Sequence, residues 1–237
     1  MERDAVHELV TAVCEAAREL VAKGLVLGRG GNVSARDKAT VYISPRGAAL
    51  DQLTPEQLVP VRETDGRPLA GGRPSSELPM HLACYRARPE AQVVIHCHPP
   101  HTIALSTVGE TIPALTPDFL VYMGVFRLPV VAYHTPGTEA LASAVEQAMR
   151  AAPVAVLANH GLIAVGETPE RALARVLLAE ETARIYLLAR ALGRPRVLGE
   201  AEWRALQMAG YRLQPAMRPS PSHEEPTARE SCPGEKT

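Results

Sequence analysis

The sequence predicts an α/β domain of layered architecture followed by a polar tail. Three observations lead there. Short β-rich runs alternate with segments of helical periodicity, 46% hydrophobic residues in a chain of 237 can build one large core, and apolar periodicity stops near residue 214. Val6, Leu9, Val10, Val13, Ala17, Leu20 and Val21 recur at three- and four-residue steps, which predicts an amphipathic helix stopped by Gly24. A glycine-rich loop, residues 28–34, precedes strand candidates at 40–44 and 58–61, each closed by a glycine turn. Ser75-Ser76-Glu77 opens a helix that runs to Pro89, the serines as caps and the acid in the first turn. Residues 92–98 read as a strand closed by Pro99-Pro100, with further strands at 129–133, 154–158 and 162–165 and a helix at 139–150. Thr168 and Pro169 begin the last long helix, which ends at Gly193. The domain is assigned to residues 1–214. Residues 215–237, rich in Pro, Ser, Glu and Thr, are expected to stay disordered.

Composition narrows the function. Lys plus Arg number 25 against 26 Asp plus Glu, so no basic excess supports a nucleic-acid partner. Six tyrosines, two phenylalanines and one tryptophan are too few to build base-stacking platforms. No eighteen-residue apolar run and no leader-like start is present, so the expectation is a cytoplasmic protein with no membrane partner. Cys14, Cys84, Cys97 and Cys232 lack paired spacing and read as reduced thiols.

Two clusters carry chemistry. His96 and His98 lie two apart at a strand end, so both rings project from one face while Cys97 points the other way. His160, beside Gly161 after another strand, completes a candidate triad, with Gly161 allowing the tight turn. Three imidazoles around one cation leave a coordination position open, as in catalytic zinc sites. His81, His101 and His134 compete as the third ligand. The spacing of His96, His98 and His101 approximates a metallohydrolase motif, although Pro100 stands where that motif has aspartate. The second cluster binds anions. Gly30, Gly31, Asn32 and Ser34 offer unobstructed amides, and Ser44-Pro45-Arg46-Gly47 and Ser75-Ser76 add two more donor-rich elements. Glu77 beside them is a candidate general acid or base.

The ordered set 31–34, 44–47, 74–77, 96–98 and 159–161 resembles the class II aldolase and adducin head family over about residues 5 to 213. The resemblance implies a three-layer α/β/α fold around a largely antiparallel sheet and a homotetramer with active sites at subunit interfaces. It implies one Zn2+ per subunit, or another divalent cation, held by His96, His98 and His160 with Glu77. Gly31, Asn32, Ser44, Arg46, Gly47, Ser75 and Ser76 would bind the substrate phosphate, Arg46 replacing the family's usual hydroxyl residue. Glu77 would move the proton next to the substrate carbonyl. Asp118 or Tyr122 from a neighbouring subunit would be the second acid, with Tyr211 a further candidate. The implied activity is reversible cleavage of a ketose 1-phosphate, of the L-fuculose 1-phosphate kind, to dihydroxyacetone phosphate and a small aldehyde such as lactaldehyde. Epimerisation of L-ribulose 5-phosphate, decarboxylation or dehydration of a sugar phosphate, and a non-catalytic adducin-type module are the alternatives.

Overall fold

The computed structural model describes residues 2–213; the predicted tail lies outside the described residues. Seven strands form one sheet in the order β3-β2-β1-β4-β7-β6-β5. They are β1 (Asn32–Asp37), β2 (Thr40–Ile43), β3 (Val59–Arg62), β4 (Val93–Cys97), β5 (Val130–Val131), β6 (Val154–Leu157) and β7 (Gly161–Gly166). Every pairing is antiparallel except β5 with β6, so the sheet is largely antiparallel, as expected.

Helices α1 (Glu2–Ala22), α3 (Pro100–Thr107), α4 (Pro117–Met123), α6 (Pro169–Leu192) and α7 (Glu200–Met208) cover one face. Helices α2 (Leu78–Ala87) and α5 (Glu139–Ala151) cover the other. The period-two alternation of β4 divides its side chains between these layers: Val93, Ile95 and Cys97 enter the first core, Val94 the second. The α1 stripe Val10, Val13, Ala17 and Leu20 is buried, and the Thr168 hydroxyl accepts the Arg171 N–H to start α6 as the sequence predicts.

Several elements differ from the sequence expectation. Residues 32–34 belong to strand β1, because their amides and carbonyls pair with β2 and β4 instead of forming a loop. Pro99-Pro100 closes β4 and also starts α3, since a proline at the first helical position forfeits no internal bond. Helices α4 and α7 were not predicted, and β5 is only two residues long. Among the described residues no helix is long and apolar enough to cross a membrane.

Candidate active site

The site forms where β1, β4 and β7 meet at one end of the sheet. Asn32 is directly opposite His96 across β1 and β4, and Cys97 is opposite Leu162 on β7. The β6–β7 turn carries His160, and Asn159 takes the left-handed conformation there at φ 57°, which short amide side chains tolerate. Gly161 is needed for close approach and not for the turn: a Cβ there would sit 2.3 Å from the Cys97 carbonyl oxygen and 2.9 Å from the His98 ring. Gly30 similarly leaves room for the His98 ring.

These elements bring His96, His98 and His160 together, with one ligand atom from each within 4.8 Å of the others. His96 Nδ1 lies 3.0 Å from the Leu162 carbonyl oxygen and donates to it, so Nε2 faces the cluster, as a lone pair toward a cation or, with none bound, as an N–H toward Glu77. That Nε2 is 3.2 Å from His98 Nε2 and 3.1 Å from Glu77 Oε2. These separations suit either a proton or a cation shared between the atoms. Glu77 Oε1 and His160 Nδ1 are, moreover, buried without a hydrogen-bond partner. Three nitrogen donors and a carboxylate with an unused lone pair fit a divalent cation of the zinc type.

Electrostatics agree with that fit. Burial favours the neutral Glu77 carboxyl, yet hydrogen bonds and attraction from His96, with help from Asn32 and His160, outweigh it and hold the carboxyl well below its usual range. Burial, with repulsion from His96, pushes His98 and His160 each down to about 4, so both rings are neutral and ready to coordinate at physiological pH. Two of the three competing histidines are occupied elsewhere, and His134 is not among the residues gathered at the cluster. His81 bonds through one ring nitrogen to Asn32 and through the other to Ser34, and His101 Nδ1 lies 2.7 Å from Glu180, so the metallohydrolase arrangement does not form.

A cavity of about 380 Å³ opens beside the cluster, lined by Gly31, Asn32, Arg46, Gly47, Ser75, Ser76, Glu77, His98 and His160. One wall is made by two loops tied together: Arg46 N–H donates to the Arg73 carbonyl at 2.9 Å and Ser75 N–H to the Ser44 carbonyl at 3.1 Å. Gly47 has φ 70°, and its carbonyl accepts the Arg29 guanidinium at 2.7 Å. Arg29 was not singled out from the sequence; it lines the cavity next to Arg46 and doubles the positive charge there. Gly31, at φ 69°, leaves no room for a Cβ against the His96 carbonyl.

The remaining predicted residues lie outside this wall. Ser44 does not line the cavity, and its hydroxyl accepts the Val33 N–H at 3.2 Å. Asp118 is exposed in the first turn of α4, while the Tyr122 ring stacks 4.0 Å from the Arg171 guanidinium. Tyr211 is 53% exposed beyond α7. None of these three lines the cavity within one chain.

A cluster of imidazoles and a carboxylate that could hold a cation, opening into a cavity lined by serines and two arginines, has the make-up of a metal-dependent enzyme. Comparison with known proteins specifies which kind. Residues 11–187 match the model of the Class II Aldolase and Adducin N-terminal domain, and the chain belongs to that family. It is 37% identical over 204 residues to the 5-methylthioribulose-1-phosphate/5-deoxyribulose-1-phosphate aldolase of Escherichia coli O45:K1, covering 85% of this chain and 93% of the relative. It is 34% identical over 202 residues to the 5-deoxy-D-ribulose 1-phosphate aldolase of Bacillus thuringiensis, covering 83% and 93%. The solved structure of an L-fuculose 1-phosphate aldolase superposes with a TM-score of 0.79 at 29% identity, covering 86% of this chain and 96% of the other. The three-layer fold is that of the family, and the chain is a carbon–carbon lyase of the class II aldolase type.

Proposed function

We propose that the chain reversibly cleaves a ketose 1-phosphate to dihydroxyacetone phosphate and a small aldehyde, using Zn2+ held by His96, His98, His160 and Glu77. One observation carries this reading: the anion-binding wall and the histidine–carboxylate cluster share one cavity. The cation, when bound, supplies a Lewis acid that stabilises negative charge growing on the substrate carbonyl. The chain's own groups do the rest. Backbone at Gly31 and Gly47, the hydroxyls of Ser75 and Ser76 and the Arg46 guanidinium hold the phosphate, which directs the carbonyl end toward the histidines. Asn32 contributes only part of its amide, because one N–H is committed to Glu77 Oε2 at 2.9 Å.

In the cleavage direction the C4 hydroxyl loses its proton, the C3–C4 bond breaks, and its electron pair stays at C3 beside the carbonyl. In the condensation direction the Glu77 carboxylate removes a proton from C3 of dihydroxyacetone phosphate; in cleavage it takes up a proton from solvent and returns it to C3, which completes dihydroxyacetone phosphate. Asp118 or Tyr122 receives the hydroxyl proton from across the interface of a homotetramer, since neither lines the cavity of its own chain. The ribulose 1-phosphate aldolases among its relatives favour a pentulose substrate without a terminal hydroxyl, whose aldehyde product is acetaldehyde or methylthioacetaldehyde. The superposed fuculose enzyme keeps lactaldehyde as the second choice.

The test is condensation of dihydroxyacetone phosphate with these three aldehydes by metal-quantified protein, beside L-ribulose 5-phosphate and a Glu77→Gln control. Metal-dependent condensation, fastest with acetaldehyde and methylthioacetaldehyde, the two aldehydes that lack a hydroxyl, and lost in the control, is expected. Epimerisation of the pentulose phosphate without condensation overturns the reading.

A further inference from the structure

A buried polar ladder runs away from the site beneath α2. Glu77, His81 and Tyr85 follow one another four residues apart, while Asn32 and Ser34 are two apart on β1 and face α2. Four helical residues rise about 6 Å. Two strand residues advance about 6.7 Å. The two stripes therefore stay in step, and each helical polar group meets a strand polar group. Asn32 Nδ2 donates to Glu77 Oε2 at 2.9 Å, and Asn32 Oδ1 lies 2.5 Å from His81 Nε2. His81 Nδ1 is 2.7 Å from Ser34 Oγ, which is 2.8 Å from Tyr85 Oη. All five residues are buried; Ser34 and His81 have no exposed surface at all.

Only one arrangement of protons satisfies the four close contacts, and in it the single Tyr85 proton goes to Ser34 and not to the Gln92 carbonyl 3.5 Å away. The Asn32 oxygen accepts, so His81 carries its proton on Nε2; the bare Nδ1 then accepts the Ser34 hydroxyl, whose oxygen accepts the Tyr85 hydroxyl. Every donor points toward Glu77.

We propose that His81 is a positioning residue for the reaction. Its Nε2–H fixes the Asn32 amide with nitrogen, not oxygen, toward Glu77, and so holds the carboxylate in the orientation that reaches C3. This role rests on the function proposed above. Removing the His81 donor leaves the Asn32 oxygen unpaired and frees the amide to turn, which sets oxygen against carboxylate.

The test has two arms. In purified wild-type protein, long-range 1H–15N correlation of the histidine rings should show His81 as the Nε2–H tautomer; an Nδ1–H ring overturns the proposal. In protein held at saturating zinc, His81→Phe should lower kcat by about 10- to 100-fold at full zinc stoichiometry, with any change in KM for dihydroxyacetone phosphate, through the Asn32 amide, smaller than that. His81→Gln, which restores a donor near the Nε2 position, should recover most of that loss. Equal activity of the two variants, or a loss that tracks zinc content, overturns it. The first arm needs no substrate and works if the variants fail to fold. An Nε2–H ring in a wild-type protein without aldol activity supports the ladder and sinks only the functional reading.

Discussion

Acidifying the metal-free protein should strip it of much of its stability, and the structure sets the size of the effect. An unfolded histidine titrates near 6.5. In the folded chain burial lowers His81 to about 3, and burial with repulsion from His96 lowers His98 and His160 to about 4. Between these values the unfolded state binds protons that the folded state refuses. Stability is therefore present above pH 6.5 and lost as the pH falls toward 4. From pH 7 to pH 5 one fully buried neutral imidazole costs about 2 kcal/mol. His81 is counted in full, and His98 and His160, which face the open cavity, at half because solvent screens them, giving about 4 kcal/mol together. Glu77, held below its usual range, adds loss of the same sign only once the pH falls toward the ordinary carboxylate range. Against a typical domain stability of about 5–15 kcal/mol this is a large share. The assay is urea unfolding in chelator at pH 7, 6 and 5. With a slope of about 2 to 3 kcal/mol per M, the midpoint should fall by about 1.5 to 2 M. Saturating zinc should raise the midpoint at pH 7 and steepen its fall, because coordination needs unprotonated rings. A midpoint in chelator that stays constant from pH 7 to pH 5 would refute the reasoning, for it would mean that the three rings are solvated or paired in the native state.

Gly161→Ala should destabilise the fold by about 1–3 kcal/mol. Its Cβ would meet the Cys97 carbonyl and the His98 ring, so bound zinc per chain should also fall, measured by elemental analysis beside a denaturation curve. Gly137→Ala is expected to act on the other wall: Gly137 has φ 79°, and a Cβ there would come 2.9 Å from the Ser76 carbonyl oxygen. It should raise KM for dihydroxyacetone phosphate while zinc content is unchanged, and an unaltered KM would count against Ser76 as a phosphate contact. Burial pushes the Cys14 thiol up to about 11 and the Cys84 and Cys97 thiols higher still. A thiol reagent at pH 8 should therefore modify no more than one cysteine per native chain, with the rest released by urea; two or more reacting in native protein would contradict the packing.

The histidine pair was legible because a strand's period of two is rigid: His96 and His98 share a face wherever the strand begins. Ser75-Ser76-Glu77 marked the helix start from its own residues, but the roles were misplaced: Glu77, expected in the first turn, is the cap residue of α2 and makes no side-chain cap bond, and Ser75 accepts the Glu77 N–H at 3.2 Å. The reasoning failed where a site departs from amphipathic pattern. Strand β1 was read as loop because Asn32, Ser34 and Arg36, which should have been its apolar or solvated side, instead face α2, where Arg36 lies over the Tyr85 ring at 4.8 Å. A polar stripe facing a polar stripe gives neither element an apolar signature, although the spacing 77, 81, 85 on one helix was visible and would have drawn His81 into the site. Helix α3 was missed because Pro99-Pro100 signals a stop and a start with the same residues. Gly161 was given the turn's conformational work, which falls to Asn159, because close approach between β4 and β7 is a long-range fact that no local pattern encodes. The second acid is illegible for a deeper reason. Within one chain Asp118 is exposed and Tyr122 stacks on Arg171, so whether either acts on substrate depends on which surface a neighbouring copy presents to the cavity. The folded chain alone thus gathers the histidine cluster, the serine- and arginine-lined wall and the Glu77 ladder, and in the proposed reaction the aldehyde side would be completed by a neighbouring copy.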